Sequence, residues 1–321
     1  MGDLKLKCVD AGSEFCPCYL AETNDCITCS HLQGKDFCDC NWTGVCIYQE
    51  YVWNGYKSKN SREIIGSKII NKKNINKKCV LLKLKVTKTL ARQLREPGSY
   101  VFLRNPNVSE YFDVPMSVMD ADELNGYIYI AYKIHGTKTK KLDESNKNVL
   151  LRGPYWNGVL GFKNLKTTSN SNCLVIARGI AQAPTVLVVK KLIRNNNNVT
   201  VILDKGNINE IFIEEFIKGL NVNIIQENLK SSKGKFLVEK ALKEEKVQLV
   251  FIGGSSSFQY ELMKKIDGLN LNPKIVITNN KEMCCGEGIC GSCSIQLEDG
   301  SIIKLCKTQI DVEKLLKGGL R

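Results

Sequence analysis

The sequence lacks any long apolar run. No stretch of about 18 apolar residues occurs among its 321 residues, so we expect no membrane-spanning helix. The first eight residues are polar and lack the apolar core of a secretion signal, which predicts a cytoplasmic protein. An apolar content of 43% and a charged content of 25% are typical of globular chains, and the length allows two domains with smaller modules.

Acidic residues are too few to balance the basic ones. The chain has 46 Lys and Arg against 33 Asp and Glu, a formal net charge of +13. Such an excess raises nucleic acid as a partner. The basic residues, however, do not cluster on one element with interleaved aromatic residues, and residues 71–78 mix lysine with asparagine as a solvated loop does. We therefore do not expect a nucleic acid partner, and the basicity suits an acidic partner or nucleotide phosphates.

Cysteine is abundant, with 15 residues in two groups. In the absence of a secretion signal, this content indicates a reducing compartment, where thiols bind metal rather than pair as disulfides. Eight cysteines lie between Cys8 and Cys46, and five lie between Cys284 and Cys306. Only Cys79 and Cys173 fall between the groups. Each adjoins an apolar run, which predicts a small buried side chain.

The C-terminal group has a distinctive spacing. Four residues separate its first predicted ligand from the second, and two separate the second from the third, which opens a plant-type [2Fe–2S] ligand set. The predicted ligands are Cys285, Cys290, Cys293 and Cys306. A structural zinc site is the alternative, but zinc sites usually combine two CxxC pairs and this segment has one. The spacing favours the iron–sulfur cluster, and an iron–sulfur centre carries single electrons.

The residues around these ligands support the same interpretation. Three glycines let the backbone curl and direct its N–H groups at cluster sulfurs; they are Gly286, Gly288 and Gly291. The short gap before the last ligand predicts a hairpin of residues 294–297 and 302–305. Cys284 is expected to be a packed neighbour rather than a fifth ligand.

The N-terminal group occupies about 57 residues with few aliphatic side chains, which cannot build a core of their own. Its candidate metal ligands are Cys8, Cys16, Cys18, Cys26, Cys29, Cys38, Cys40 and Cys46. Eight thiolates could hold two four-ligand centres: two iron–sulfur clusters, two zinc ions, or one of each. His31 is either a further ligand or a surface residue. Iron–sulfur is favoured over zinc only by association with the other end of the chain.

Residues 58–165 have a β pattern. Val80–Val86 and Tyr127–Ile134 alternate apolar and polar side chains, as half-buried strands do. The segment Pro97–Leu103 is a turn that leads into a strand. Short strands with turn signals predict a small antiparallel β-barrel.

Residues 166–280 alternate strands and helices, which predicts a parallel βαβ sheet. The predicted strands are residues 173–177, 199–203, 222–225, 247–252 and 274–278, and the predicted helices are residues 184–192, 211–218, 236–244 and 258–266. Ligands bind at the carboxyl ends of such strands. The predicted organisation is therefore a Cys-rich metal module (1–57), a flavin-type β-barrel (58–165), a nucleotide-type α/β domain (166–280) and a cluster segment (281–321).

Several short motifs follow one another along the barrel and the sheet. They are Pro97-Gly98-Ser99-Tyr100, Pro115-Met116-Ser117, Gly136-Thr137-Lys138-Thr139, Gly153-Pro154-Tyr155-Trp156-Asn157-Gly158 and Gly179-Ile180-Ala181-Gln182-Ala183-Pro184. In this order, and together with the cluster spacing, they resemble the electron-transfer subunit of heteromeric dihydroorotate dehydrogenase, a branch of the ferredoxin–NADP reductase-like flavoproteins. The resemblance covers residues 60–310 and leaves out the N-terminal module.

The resemblance implies two cofactor sites. It assigns FAD binding to Pro115, Met116, Ser117, Val118, Gly136, Thr139, Gly153, Pro154, Asn157 and Gly158. It assigns NAD(P)H binding to Arg178, Gly179, Ala181, Gly253 and Gly254. The chain departs from the family pattern at both. The arginine of the family's Arg-Pro-x-Ser motif is Val114 here, and only one of three glycines remains on the nicotinamide side, where the later Cys-Gly-Pro turn is Gly253-Gly254-Ser255.

The expected function is that of an oxidoreductase: an iron–sulfur flavoprotein subunit that passes electrons between NAD(P)H, FAD and the [2Fe–2S] cluster to a redox partner protein or catalytic subunit. No catalytic side chain is assigned. The altered motifs favour an alternative, a metal-bearing redox-sensing or interaction protein on a degenerate reductase scaffold without nucleotide turnover. A zinc-ribbon nucleic-acid binder ranks last.

Overall fold

The structure is a computed structural model that describes residues 6–59, 61–244, 246–313 and 315. The outermost parts of the first and last predicted modules, residues 1–5 and 316–321, lie outside the described residues. Within the described ranges, no helix has both the length and the apolar character needed to cross a membrane.

The described residues form nine α-helices and seventeen strands. The helices are α1 (Tyr19–Glu22), α2 (Ile47–Trp53), α3 (Lys88–Gln93), α4 (Thr137–Asp143), α5 (Phe162–Thr167), α6 (Gln182–Arg194), α7 (Glu214–Ile217), α8 (Ser232–Glu244) and α9 (Ser256–Gly268). The strands are β1 (Lys7–Cys8), β2 (Ile64–Asn76), β3 (Cys79–Lys85), β4 (Tyr100–Arg104), β5 (Val114–Ser117), β6 (Asp120–Asp122), β7 (Tyr127–Lys133), β8 (Asn148–Tyr155), β9 (Val159–Leu160), β10 (Asn172–Arg178), β11 (Asn198–Asp204), β12 (Val222–Gln226), β13 (Leu249–Gly253), β14 (Lys274–Thr278), β15 (Ser294–Gln296), β16 (Ile302–Lys304) and β17 (Thr308–Gln309).

The chain divides into two compact units. Unit 1 combines the two ends of the chain, up to residue 63 and from residue 281, and unit 2 is the continuous segment 64–280. Unit 1 therefore contains both cysteine groups, and unit 2 contains the predicted barrel and the predicted sheet. The four-part division remains a prediction from sequence.

The first half of unit 2 is a seven-stranded antiparallel sheet in the order β5-β4-β8-β2-β3-β7-β6. Its core follows from the alternation in the sequence. Val80, Leu82 and Leu84 of β3 are buried, whereas Lys83 and Lys85 between them are not. The predicted antiparallel β structure is confirmed, whereas its closure into a barrel stays a prediction, and β9 (Val159–Leu160) belongs to the other sheet.

The second half of unit 2 is a six-stranded sheet in the order β12-β11-β10-β13-β14-β9. All pairs are parallel except β14 with β9, so the predicted βαβ sheet is confirmed. The helix predicted over residues 211–218 is shorter, because only Glu214–Ile217 is helical. Phe212 N–H, before the helix, donates to the buried Gln182 Oε1 at 3.3 Å and so ties this segment to α6.

Unit 1 joins the two ends of the chain through strand pairing. β1 pairs antiparallel with β17, with Cys8 opposite Thr308. β15 and β16 form the hairpin predicted from the cysteine spacing. Asp299 shapes its turn by accepting from Ser301 N–H at 2.9 Å, while Gly300 adopts a φ of 82°. A small core in the N-terminal part combines cysteines with aliphatic side chains, namely Cys16, Ala21, Cys29, Leu32 and Ile47.

Candidate functional site

The four predicted cluster ligands meet in the C-terminal loop of unit 1. Cys306 hydrogen bonds with both Cys285 and Cys293, and Cys285 also hydrogen bonds with Cys290. Backbone N–H groups of Glu287 and Cys290 point at Cys285 Sγ, at 3.3 and 3.5 Å. Cys306 N–H donates to Cys293 Sγ at 3.3 Å. N–H groups directed at sulfur stabilise thiolates in iron–sulfur proteins.

The glycines of this loop have the conformation that the sequence predicts for a tight turn. Gly286, Gly288 and Gly291 all adopt φ values of 75–76°, the left-handed region that favours glycine. Their backbone turns the N–H groups inward. This loop therefore provides both the thiols and the amide donors that a cluster requires.

Hydrogen bonds between thiols shift three pKa values in opposite directions. Hydrogen bonding with Cys306 lowers the pKa of Cys285 to about 4 and that of Cys293 to about 7. The same hydrogen bonds raise the pKa of Cys306. A bound cationic centre would allow the last thiol to ionise as well. No group of three or more His, Cys, Asp or Glu side chains in the described ranges stands at metal-binding geometry.

Charged residues beside this loop form a buried network in unit 1. Arg62 Nη2 lies 2.9 Å from Asp10 Oδ1, and Arg62 Nη1 lies 3.1 Å from Glu287 Oε1. Lys307 Nζ lies 2.8 Å from Glu287 Oε2 and also contacts Asp10. Three of the four side chains are at most 3% exposed, and Glu287 is 20% exposed. Burial alone would lower the pKa of Lys307, but Asp10 and Glu287 outweigh it and raise that pKa.

Three adjacent strands of unit 2 share a second candidate site, which we call the aromatic face, although its three aromatic rings are buried. Directly paired residues project to the same side of a sheet. The face consists of two rows, Ser117, Tyr100 and Tyr155 in the first and Pro115, Phe102 and Arg152 in the second. The rings of Tyr100 and Tyr155 stack with centroids 5.1 Å apart, and the Arg152 guanidinium carbon lies 4.5 Å from the centroid of Phe102.

The residues that the resemblance assigns to FAD divide between this face and the core. Pro115 and Ser117 lie on the aromatic face and are half-buried. Met116 and Val118 point the other way and are part of the hydrophobic core of the antiparallel sheet. Val114, in the place of the family's arginine, is paired with Leu103 and also contacts that core. A cofactor on this face would therefore meet only two of these side chains.

Two arginines supply positive charge at the aromatic face. Arg104 Nη1 lies 2.7 Å from Asp113 Oδ1, and Arg152 Nη2 lies 3.1 Å from Asp113 Oδ2. Lys138 Nζ donates to the Asp113 backbone carbonyl at 2.8 Å. Arg104 Nε and Ser99 Oγ are buried and have no hydrogen-bond partner in the described structure. The exposed Glu110 Oε1 also lies 3.8 Å from Arg104 Nη2. Three cations against two carboxylates still leave one positive charge for an anionic group such as a pyrophosphate.

The remaining residues assigned to FAD lie in turns and at a helix end. Thr139 Oγ1 accepts from the backbone N–H groups of His135 at 2.9 Å and Gly136 at 3.1 Å, so its hydroxyl stabilises the start of α4. Gly158 N–H donates to the Gly98 carbonyl at 2.8 Å, and a Cβ on Gly158 would lie 2.7 Å from that oxygen. Asn157 is fully buried.

Residues 153 and 154 end β8 next to Arg152. The peptide bond between Gly153 and Pro154 is cis. A Cβ on Gly153 would lie 2.8 Å from Val101 Cγ1, so the strand at this position requires glycine. Gly153 and Gly158 thus allow this segment to pack closely against Val101 and Gly98.

The residues assigned to the nicotinamide nucleotide meet at the carboxyl ends of parallel strands. Gly179 and Ala181 follow β10, and Gly253 ends the adjacent β13, where Ala177 pairs with it. A Cβ on Gly253 would lie 3.3 Å from the Ala181 Cβ. Gly254 N–H faces Thr278 Oγ1 at 3.5 Å. These four residues are brought together at the edge where parallel sheets bind ligands.

A cleft of about 440 Å³ opens beside them, a volume within the range of small-molecule sites. Its lining includes Arg178, Asp204 and Lys205. Arg178 Nε binds Asp204 Oδ2 at 2.9 Å, and Asp204 also accepts from Gly206 N–H at 2.7 Å and Leu229 N–H at 3.0 Å. Asp204 therefore shapes the cleft, and the arginine is the fixed cation at its edge.

The sequence analysis missed the two charge networks. Asp113 and Arg152 flank the recognised motifs directly, so a charged residue beside a motif was the available signal. Arg62 and Lys307 gave no such signal, because their partners Asp10 and Glu287 are distant in the chain. Only the folded structure shows that these residues meet.

Comparisons with known proteins agree with this geometry. No protein-family model matches the chain. The dihydroorotate dehydrogenase B (NAD(+)) electron transfer subunit of Clostridium acetobutylicum is 26% identical over 208 residues, 64% of this chain and 79% of that protein. Sulfhydrogenase 1 subunit gamma of Pyrococcus furiosus is 26% identical over 221 residues, 62% of this chain and 73% of that protein.

A solved structure matches the fold. It is an NADH-dependent reduced ferredoxin–NADP oxidoreductase studied for flavin-based electron bifurcation, with a TM-score of 0.61, 19% identity, and coverage of 75% of this chain and 85% of that chain. The resemblance that the motifs predict is therefore confirmed: the chain is similar to electron-transfer subunits of dihydroorotate dehydrogenase B and has the fold of ferredoxin reductase-like flavoproteins.

Proposed function

We propose that this protein is an iron–sulfur flavoprotein that transfers electrons from a reduced nicotinamide nucleotide to a redox partner protein or catalytic subunit. The observation that supports the proposal is the proximity of Cys306 to Cys285 and Cys293 of the glycine-rich loop, and of Cys285 to Cys290, on a chain with a ferredoxin reductase-like fold. When bound, FAD accepts a hydride and releases single electrons, which a [2Fe–2S] cluster can carry onward.

The aromatic face is the proposed flavin site. Tyr100 and Tyr155 give it stacked rings, and Ser117 adds a half-buried hydroxyl. Arg152 takes the role that Val114 cannot fill, since its guanidinium lies on the same face as Pro115 and can bind a phosphate oxygen. Ser99 Oγ and Arg104 Nε offer further hydrogen bonds at this position.

The cleft at Arg178 is the proposed nicotinamide nucleotide site. Arg178 is 20% exposed and held by Asp204, so it presents a fixed positive charge toward a phosphate. A Cβ on Gly179 would meet no atom within 4 Å, so there is open space beside this residue for a nucleotide. Ala181 narrows this approach relative to glycine, which favours a weakly bound nucleotide.

A second candidate function is a metal-bearing redox-sensing or interaction protein without nucleotide turnover. Two observations favour it: Val114 contacts the core in the place of the family's arginine, and Asp204 uses both carboxylate oxygens within the protein. Flavin content separates the candidates, because only the electron-transfer function needs about one FAD per chain.

The experiment is anaerobic purification of the full chain with FAD, iron and sulfide quantified, followed by EPR after reduction. We expect flavin, a [2Fe–2S] signal, and bleaching of the visible spectrum on addition of NADH or NADPH. Cys290→Ser should abolish the [2Fe–2S] signal, whereas Cys284→Ser, at the exposed neighbour of the ligand set, should keep it. A protein without flavin, or an unchanged signal in Cys290→Ser, contradicts the proposal.

A further inference from the structure

The N-terminal cysteines of unit 1 separate into two sets of four. A cavity is lined by the first four cysteines of the chain, Cys8, Cys16, Cys18 and Cys26. The rest of its wall is mostly apolar and includes Ala11, Phe15, Pro17, Leu20, Ala21 and Ile47. The other four cysteines, Cys29, Cys38, Cys40 and Cys46, are not part of this lining.

Proximity among the thiols follows the same division except at Cys26, on which Cys29 acts more strongly than Cys18 does. Cys18 lies close enough to interact electrostatically with each of the other three cysteines at the cavity. In the second set, Cys29 interacts in the same way with Cys40 and Cys46, and Cys38 Sγ lies 3.9 Å from Cys40 Sγ. The two sets adjoin at Cys26 and Cys29, which are also within range of each other.

The order of cysteines in the sequence repeats this arrangement. Each set consists of four consecutive cysteines with a C-x-C pair in the middle, Cys16-Pro17-Cys18 in the first and Cys38-Asp39-Cys40 in the second. One single cysteine precedes each pair and one follows it. Two separate four-ligand centres would each need one such set of four cysteines.

Backbone donors point at the sulfurs of the first set. The N–H groups of Asp10 and Gly12 hydrogen bond to Cys8 and Cys16. Cys26 Sγ accepts from Cys29 N–H at 3.4 Å. Hydrogen bonds of this kind support metal-bound thiolates and tune iron–sulfur centres.

We propose that Cys8, Cys16, Cys18 and Cys26 bind one iron–sulfur cluster at this cavity, whose volume of about 20 Å³ must increase to admit it, and that Cys29, Cys38, Cys40 and Cys46 bind a separate centre. Zinc sites favour ligand pairs two to four residues apart. The one such pair here, Cys26 and Cys29, is divided between the sets, which favours a cluster over zinc at the cavity.

The cavity also adjoins the C-terminal loop of unit 1. Leu20 lines the cavity, and its Cδ1 lies 3.0 Å from the position of a Cβ on Gly288, between Cys285 and Cys290. A cluster in the cavity would therefore lie beside the proposed [2Fe–2S] loop, within one unit. Electron exchange between the two centres rests on the proposed function, whereas the ligand assignment does not.

The test uses the full chain, purified without oxygen, in two double variants. Cys16→Ser with Cys18→Ser should remove one centre, about four iron and four sulfide, and Cys38→Ser with Cys40→Ser should remove a different one. The [2Fe–2S] EPR signal should persist in both. Loss of all N-terminal iron from either variant would indicate one shared centre and overturn the proposal, as would zinc in place of iron at the cavity or an unchanged metal content.

A second measurement needs no variant, and so remains informative if a variant fails to fold. Wild-type protein is treated with a chelator in steps, and released thiols are alkylated and identified by mass spectrometry. We expect two groups of cysteines to become labelled, first the set that contains the exposed Cys38 and Cys46, then the set that contains the buried Cys16. Simultaneous labelling of Cys26 and Cys29 would refute the division. Flavin content is recorded in parallel, so a failed flavin proposal is distinguishable from a failed ligand assignment.

Discussion

Removal of Arg62 tests the buried charge network of unit 1. Its side chain is 1% exposed and binds Asp10 and Glu287, and its guanidinium carbon lies 4.0 Å from the centroid of the Phe15 ring. Arg62→Met keeps most of the volume but leaves two carboxylates with only Lys307. Breaking a buried ion pair from one side costs about 3–5 kcal/mol, because the remaining charge stays out of water.

Hydrogen exchange measures this cost locally. The peptides that contain β1 and β17 report the opening of unit 1, since Val9 N–H donates to the Lys307 carbonyl at 2.8 Å. At about 1.4 kcal/mol for each tenfold change, we expect these amides to exchange about 140 to 3700 times faster in Arg62→Met. The free energy is taken from exchange rather than from one unfolding midpoint, because a chain of two units need not unfold in one step.

The matched control is the exposed pair of Lys35 and Asp39 in the same unit, where the side chains are 42% and 38% exposed. Lys35→Met should change exchange by less than about threefold, as exposed pairs contribute about 0.3–0.5 kcal/mol. Adding Glu287→Gln to Arg62→Met removes one of the two negative charges and so restores charge balance. The double variant should recover part of the stability that unit 1 loses in Arg62→Met. Equal exchange in Arg62→Met and Lys35→Met would refute the reasoning.

Three further predictions concern unit 2. Arg152→Ala should weaken FAD binding about 10- to 100-fold in fluorescence titration of the flavin-depleted protein, since a hydrogen bond to a charged group contributes about 1.5–3 kcal/mol. Arg152→Lys should lose less FAD affinity, and Arg194→Ala, at an exposed residue, should lose none. Unchanged affinity in Arg152→Ala would contradict the assignment of this arginine to the flavin. Burial raises the pKa of Cys79 to about 11 and that of Cys173 to about 12, so both remain thiols at pH 8. Iodoacetamide at pH 8 should therefore label the exposed Cys284 and leave these two unmodified until the protein is unfolded, and early labelling of either would show that it is not buried. Gly158→Ala should destabilise unit 2 by about 1–3 kcal/mol in urea unfolding, because its Cβ would meet the Gly98 carbonyl at 2.7 Å, whereas Gly66→Ala has open space and should cost less. Equal effects of the two substitutions would argue against this close approach.

The local elements of the fold were predictable because their signals are local. Alternation over Val80–Val86 and the turn at Asp299-Gly300 identify a strand and a hairpin without knowledge of the rest. A helix is predicted over residues 211–218, but only Glu214–Ile217 is helical, and Phe212 N–H before it donates to Gln182. That bond depends on a residue 30 positions away, which no periodicity reveals.

Some residues of the candidate sites can likewise be predicted from a short segment, whereas others can be identified only from the folded structure. Ligand spacing within Cys285–Cys293 is a property of a short segment, and Cys285 hydrogen bonds with Cys290 and Cys306. Binding of a cluster by the four thiols stays a prediction. The division of the N-terminal cysteines was left open because eight thiols allow many combinations. Spatial neighbours such as Cys8 and Cys18 support the division proposed above. Arg152 adjoins a motif in the sequence, but only strand register aligns it with Pro115 across two neighbouring pairs.

The pairing of the chain's two ends sets an order of events on the ribosome. Lys307 follows its partner Asp10 by 297 residues, an interval of about 15–60 s at ordinary translation speeds. During that interval β1 lacks its partner strand β17, so the N-terminal cysteines are not yet in the folded unit 1. Residues 64–280, in contrast, form a continuous segment that can fold as it emerges. If these thiols bind metal as proposed, we expect loading to follow synthesis of β17 and to depend on keeping the thiols reduced until then.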